Sequence, residues 1–224
     1  NVTSVDRRLG LLLRALDKEG VRENTVVVFT SDNGMNMGHN GIWHKGNGHW
    51  ITLDKLGPDV GKERARPNMY DNSIRVPTAV RWPGVIRPGT VVRETISNLD
   101  WYPTLLAIAG VGLPKNVLTR GRNFLRLLKG KNVKWDNTLY GEYSQHHYIE
   151  ADLRMIRTPQ WKWVRDFKRS GCDELYDLVN DPNETTNLVN DPARQTERER
   201  LDRLLLARMR ELNDPVLKRI QTEG

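Results

Sequence analysis

The chain has 224 residues, 38% of them hydrophobic and 28% charged, and a formal net charge of +7. This is the composition of a soluble globular protein, one large domain or a domain with a smaller appendage, and it excludes a disordered or fibrous chain. No apolar run approaches the roughly 20 residues that span a bilayer, so no membrane partner is expected.

The single cysteine, Cys172, excludes an internal disulfide and a cysteine metal cluster. It suits a reducing compartment, or a secreted protein that manages without bridges. The positive charge favours polyanions: nucleic acid, anionic membrane, or sulfated and phosphorylated substrates. Arg-rich stretches such as "RQTERERLDR" carry balancing acids, however, and the basic residues do not collect in one aromatic-interleaved strip. A nucleic-acid partner is therefore not expected.

At the N-terminus, Val5, Leu9, Leu12, Leu13 and Leu16 recur at helical spacing, and Gly20 supplies a C-terminal stop. With Asn1 already inside this pattern, the chain is expected to be processed or truncated and to begin within a domain. "TVVVFTS" (25–31) is apolar and β-branched without alternation, which predicts a strand buried on both faces, as in a parallel sheet flanked by helices. Residues 31–72 are rich in Gly, Asn and Pro and read as a long loop, a length that is usually functional. A strand is expected over "VPTAVRW" (76–82), then turns at Pro83-Gly84 and Pro88-Gly89. Asn98 and Asp100 are candidate N-caps for a helix over "WYPTLLAIAG", and "RGRNFLRLLKG" reads as a short amphipathic helix.

Beyond about residue 135, "TLYGEYS", "LRMIRT", "WKWVRDF" and "DELYDL" are four short strand-like runs that predict an antiparallel sheet, with Trp161 and Trp163 on one face. Cys172, at the start of the last, edge strand, reads as structural. A final helix over about 193–212 lines up Leu201, Leu204, Leu205, Met209 and Leu212.

The segment "FTSDNGMNMGHNGIWHKGNGH" (29–49) follows a predicted strand, where ligands bind in open α/β sheets. Asp32 offers a carboxylate oxygen and Asn33 a carbonyl oxygen, the ligands that Ca²⁺ or Mg²⁺ prefers. The same residues also make an ordinary turn. Lys45 supplies a point charge for sulfate or phosphate. His39, His44 and His49 are candidate proton donors or solvated bystanders, and their spacing matches no helical zinc pattern.

The runs "NTVVVFTSDNG", "GIWHKGNG", "MYDNSIRVPTAVRWPG", "NLDWYPTLLAIAG", "RMIRTPQWKWV" and "ELYDLVNDPNETTNL", in this order, resemble the sulfatase family of the alkaline phosphatase superfamily. The resemblance covers the chain from near Val5 to about Pro192. It implies an α/β fold, part of an alkaline-phosphatase-like layered sheet with helices over residues 1–134. A small C-terminal antiparallel sheet with a packed helix follows over 135–224.

The resemblance also assigns roles. Asp32 and Asn33 would ligate an active-site Ca²⁺ (Mg²⁺ being the alternative), and Lys45 would contact the substrate sulfate. His39 and Asn40 fall where many relatives have a substrate-binding histidine, with Asn40 in its place here. The family nucleophile is a formylglycine made in a Cys/Ser-x-Pro-x-Arg motif; none of the eleven prolines has Cys or Ser two positions before it. The nucleophile and the remaining metal aspartates are therefore expected upstream of Asn1, and this chain alone is expected to be inactive. It would persist only with its missing N-terminal half or by self-association, since a central strand without its neighbours leaves apolar edges exposed.

The polar insertion 49–68 is expected to border the substrate cleft, to which His146 and His147 are further candidates, and Arg75 is expected to brace a strand entry. The expected activity is hydrolysis of a sulfate ester of a carbohydrate or aryl alcohol, in a periplasmic or secreted protein. A related phosphodiesterase or phosphonate hydrolase, and a non-catalytic basic module, are the alternatives.

Overall fold

Every predicted helix and strand is present, and the way they are covered decides what holds the candidate loop. A computed structural model describes residues 2–45, 67–147 and 149–222, with the backbone alone at 147 and 149. His49 and the insertion 49–68, apart from Pro67 and Asn68, lie outside the described residues. In chain order the elements are α1 (Val2–Lys18), β1 (Val27–Phe29), α2 (Asp71–Ile74), β2 (Ala79–Arg81), α3 (Trp101–Ile108), α4 (Leu125–Leu128), β3 (Leu139–His147), β4 (Ile149–Arg157), β5 (Trp161–Asp166), β6 (Glu174–Asp177), α5 (Gln195–Glu211) and α6 (Pro215–Thr222). Two units form, Asn1–Asp32 with Pro77–Asp136, and Asn33–Val76 with Asn137–Gly224. Set beside the expected domains 1–134 and 135–224, these packing units differ in grouping residues 33–76 with the C-terminal segment.

In the first unit, β1 pairs antiparallel with β2, Val27 opposite Arg81 and Phe29 opposite Ala79. The expectation of a strand buried on both faces is corrected here. Val27 and Val28 are half-buried and Phe29 is 38% exposed. An unbroken apolar run marks a strand but fixes neither its partner nor what covers it. No residue of α1 is buried either, and Val5, Leu9 and Leu12 line an apolar groove of about 420 Å³ with Phe29.

Of the two candidate caps of α3, Asp100 holds the N-cap position and Asn98 does not. The turn that leads into the helix is capped by Ser97, and Asp100 completes a capping box by accepting from Ser97 N at 2.8 Å. Phe124, Leu127 and Leu128 form this unit's core, with Trp101 edge-on to Phe124 at 4.9 Å. Each such buried side chain contributes about 1.5–3 kcal/mol.

The second unit is built on an antiparallel meander, β3-β4-β5-β6. Its central strand β4 is buried from Ala151 to Ile156, polar residues included, because both faces of the sheet are covered. One face packs Ile156, Trp161, Trp163 and Leu175 against Leu201, Leu205 and Met209 of α5 and Val216 and Leu217 of α6. The other packs Ala151, Leu153, Met155 and Val164 against Met69 and Ile74, the segment that leaves the candidate loop. Helix α6 continues past the expected end of the last helix. Asn213 (φ 53°) breaks the chain, and buried Asp214 restarts it by accepting from Val216 N at 2.8 Å. The same carboxylate takes a two-point pair from Arg154, with Nε at 2.7 Å and Nη2 at 3.1 Å, and accepts from Tyr140 Oη at 2.6 Å.

Candidate functional site

The candidate loop starts where β1 ends. In the first unit the Thr30 and Thr78 hydroxyls are 3.0 Å apart, and Asn98 Nδ2 donates to the Ser31 carbonyl at 3.1 Å. Ser31 Oγ donates to Asp32 Oδ1 at 3.3 Å, and Asp32 is exposed. Asp32 closes the first unit and Asn33 opens the second.

From Asn33 onward the loop is stitched to α2. Gly34 N donates to Ser73 O at 2.9 Å, and a Cβ at Gly34 would stand 2.2 Å from Asn72 O, so only glycine fits. Asn33 Nδ2 donates to Gly34 O at 2.8 Å, which makes Oδ1 the atom this side chain presents to a cation. Asn36 is fully buried. Its backbone N and its Nδ2 each donate to His44 O at 3.0 Å, closing the loop on itself. Nδ2 also donates to Ser73 Oγ at 2.7 Å, and that hydroxyl donates to Asn68 Oδ1 at 2.7 Å.

Between these anchors lies a tight turn. Gly38, Asn40 and Gly41 take left-handed φ values of 93°, 52° and 72°, and Gly38 N donates to the carbonyl of buried Ile42 at 2.9 Å. The turn exposes His39 and half-buries Asn40, whose Nδ2 donates to Asn183 O at 3.4 Å. His44 and Lys45 are half-buried at the end of the loop.

Among the described residues, no three His, Cys, Asp or Glu side chains gather to hold a metal. Asp32 and Asn33 offer one carboxylate and one carboxamide oxygen in succession. These hard donors suit Ca²⁺ or Mg²⁺ rather than zinc, and they would be two of the about six to eight ligands that Ca²⁺ takes.

Beneath α2 lies a charge cluster with no counterpart among the predicted site residues. Lys162 is fully buried, with Nζ 2.6 Å from Asp71 Oδ1, 2.5 Å from Glu184 Oε1 and donating to Met69 O at 2.8 Å. Arg157 holds Asp71 from the other side, Nε to Oδ1 at 2.9 Å and Nη2 to Oδ2 at 2.7 Å, and Asp71 N donates to Glu184 Oε2 at 2.5 Å. Two cations and two carboxylates thus balance. Burial alone would raise Asp71, but Arg157 and Lys162 outweigh it and hold the carboxyl at about 2. At Glu184 burial wins, pushing its carboxyl above the usual range against the pull of Lys162.

Asp71, Arg157, Lys162 and Glu184 all sit inside sequence runs quoted above, so their motifs are visible, but within its run Lys162 looks like an ordinary alternating strand residue. Arg75 is exposed, and its N caps α2 by donating to Asp71 O at 2.7 Å. His146 Nε2 lies 3.9 Å from Asp152 Oδ1, while the side chain of His147 is outside the described residues.

Two family models match the chain. Residues 65–211 match the C-terminal region of N-sulphoglucosamine sulphohydrolase, and residues 1–111 match the sulfatase model. The chain belongs to the sulfatase family. It is similar to the steryl-sulfatase of Rattus norvegicus, 36% identical over 69% of this chain and 25% of that protein. Among solved structures, BT4656 in complex with its substrate D-glucosamine-2-N,6-O-disulfate shares 26% identity with a TM-score of 0.78, over 96% of this chain and 40% of that one. The phosphonate monoester hydrolase of Agrobacterium radiobacter shares 26% identity with a TM-score of 0.70, over 92% of this chain and 39% of that one. The layered α/β architecture is that of alkaline-phosphatase-like sulfatases. The sulfatase chain thus spans well under half the length of these relatives.

Proposed function

We propose that these residues form part of the active site of a sulfuric ester hydrolase acting on a sulfated carbohydrate or aryl sulfate. The observation that carries the reading is the loop itself. Residues 33–45 are held at Gly34, Asn36 and His44, which fixes the backbone that carries His39, Asn40 and Lys45. Such preorganisation is what electrostatic stabilisation of a reacting anion requires. In this reading Lys45 binds the ester's sulfate oxygens as a point charge. His39 and Asn40 hold the substrate's polar groups, with Asn40 oriented by Asn183. Asp32 and Asn33 would hold the Ca²⁺ (or Mg²⁺). When bound, that cation would supply Lewis-acid polarisation of the sulfate, and a formylglycine from outside residues 1–224 would supply the nucleophilic oxygen.

On this reading residues 1–224 are inactive alone and acquire activity when joined to a segment bearing Cys/Ser-x-Pro-x-Arg. The joined protein should hydrolyse 4-nitrophenyl sulfate, and Lys45→Ala should cut kcat/KM by about 10²–10³. The structural likeness to a phosphonate monoester hydrolase favours one second reading, since phosphonate and sulfate are both tetrahedral anions. Much faster turnover of phosphonate or phosphate diesters than of sulfate esters would select it. The reading further places the protein in the periplasm or outside the cell. The open apolar face of α1 and Phe29 supports a partner, and we take it to be further sulfatase chain that completes the sheet. A monodisperse, cooperatively unfolding monomer of residues 1–224 would refute that partner, and self-association would replace it.

A further inference from the structure

The loop also carries a large aromatic residue at its surface. Trp43 is 58% exposed although its neighbour Ile42 is 2% exposed. An exposed indole is normally mobile, but this one is laid against the backbone. A Cβ at Gly38 would stand 2.9 Å from Trp43 Cζ2 and 3.3 Å from Cε2 and Cη2. The ring therefore occupies the space that any side chain at position 38 would take. Gly38 has a second reason to be glycine, its φ of 93°. The same loop exposes Met35 and Met37, at 55% and 64%. A fixed apolar face so close in sequence to exposed His39, half-buried Asn40 and Lys45 is amphipathic in the manner of a ligand site.

We propose that Trp43 is a specificity-determining residue, a stacking platform for the sugar ring that bears the sulfate ester. The inference rests on the sulfatase reading and extends it from the anion to the ring. A pyranose fits because it has an apolar C–H face for the indole and a rim of hydroxyls for His39 and Asn40, which an all-hydrocarbon ring lacks. Lys45, two residues on, would meet the sulfate that the ring carries. Gly38 is the positioning residue, acting through Trp43.

The test uses the ¹⁵N-labelled joined protein, its nucleophile-motif Cys/Ser changed to Ala so that the ester is not turned over, and three probes: glucosamine 6-sulfate, glucosamine and inorganic sulfate. The Trp43 indole Nε1–H resonance, assigned with Trp43→Phe, is followed through each titration. Both sugars should move it saturably and sulfate should not. Trp43→Ala should weaken glucosamine 6-sulfate about tenfold, an amount in the range of one aromatic contact. Trp43→Phe should restore most of that affinity. An indole resonance that none of the probes moves overturns the proposal, as does a Trp43→Ala chain that binds as tightly as the parent. If the sugars move Trp43 while sulfate leaves the Lys45 amide still, the platform stands and the sulfate-binding role of Lys45 falls. Movement at Lys45 with Trp43 still overturns the platform and keeps the sulfatase reading.

Discussion

Lys162→Met should be among the most damaging single changes in the second unit, and the damage should depend on pH. Methionine nearly conserves the volume but removes one charge from a balanced set of four. Asp71 is left with Arg157, Glu184 is left with the Asp71 N–H, and the Met69 carbonyl loses its donor at 2.8 Å. Breaking a buried pair by deleting one partner costs about 3–5 kcal/mol, far more than an exposed pair. One partner can relieve the strain. Glu184 is already pushed above the usual carboxylate range by burial, and without Lys162 its protonated form is favoured further. A group whose folded-state pKa is raised loses stability as pH rises through that value. The variant should therefore lose up to about 1.4 kcal/mol per pH unit more steeply than the parent above pH 5. Native-state hydrogen exchange of the β4 and β5 amides, at pH 5 and pH 7, reads this sheet apart from the first unit. A loss below about 1 kcal/mol, the size of a surface pair, would refute the reasoning, as would equal losses at both pH values.

Asp71 shows the opposite sign. Its carboxyl is held at about 2 instead of 3.8, a stabilisation of about 2 kcal/mol that is complete above pH 4 and disappears as pH falls through 2. Asp71→Asn should abolish that part of the acid-unfolding profile measured by circular dichroism. Gly34→Ala should destabilise the loop by about 1–3 kcal/mol or prevent its docking, because the new methyl meets Asn72 O at 2.2 Å, and exchange at Asn36 N should rise. Tyr140→Phe removes the hydroxyl that donates to Asp214 at 2.6 Å and should cost about 1.5–3 kcal/mol in urea titration, because the acceptor is a buried charge.

What the sequence discloses here follows from how local each signal is. The stripe of α1, the stop at Gly20 and the four-strand meander are legible because side-chain period and turn glycines are local properties. The two tryptophans of β5 do share the core with α5, as alternation requires. The same alternation assigns Lys162 to the opposite face and is silent about what covers it. That cover comes from residues 67–74 and 182–186, far away in the sequence, so a surface-looking lysine becomes a fully buried charge. The candidate loop was legible as a place, from "SDNG" and "HKG", and not as a mechanism of support. Asn36 and Ser73 lie within quoted runs, but their role exists only once the two segments meet. Helix α6 was missed because Asn213 interrupts the helical period just before it.

The wiring of this loop also has a schedule. The bonds that tie it down reach forward in the chain: Asn40 to Asn183 spans 143 residues, and Asp71 to Glu184 spans 113. At about 5–20 residues per second of synthesis, the loop bearing Lys45 waits roughly 7–30 s for the strands and the Pro182–Thr186 turn that secure it. Throughout that interval the nascent loop is open to proteases and to wrong partners. A nonsense codon between residues 75 and 183 would release a chain in which the loop keeps its bonds to Ser73 but lacks the Asn40 bond to Asn183, and α2 lacks Glu184.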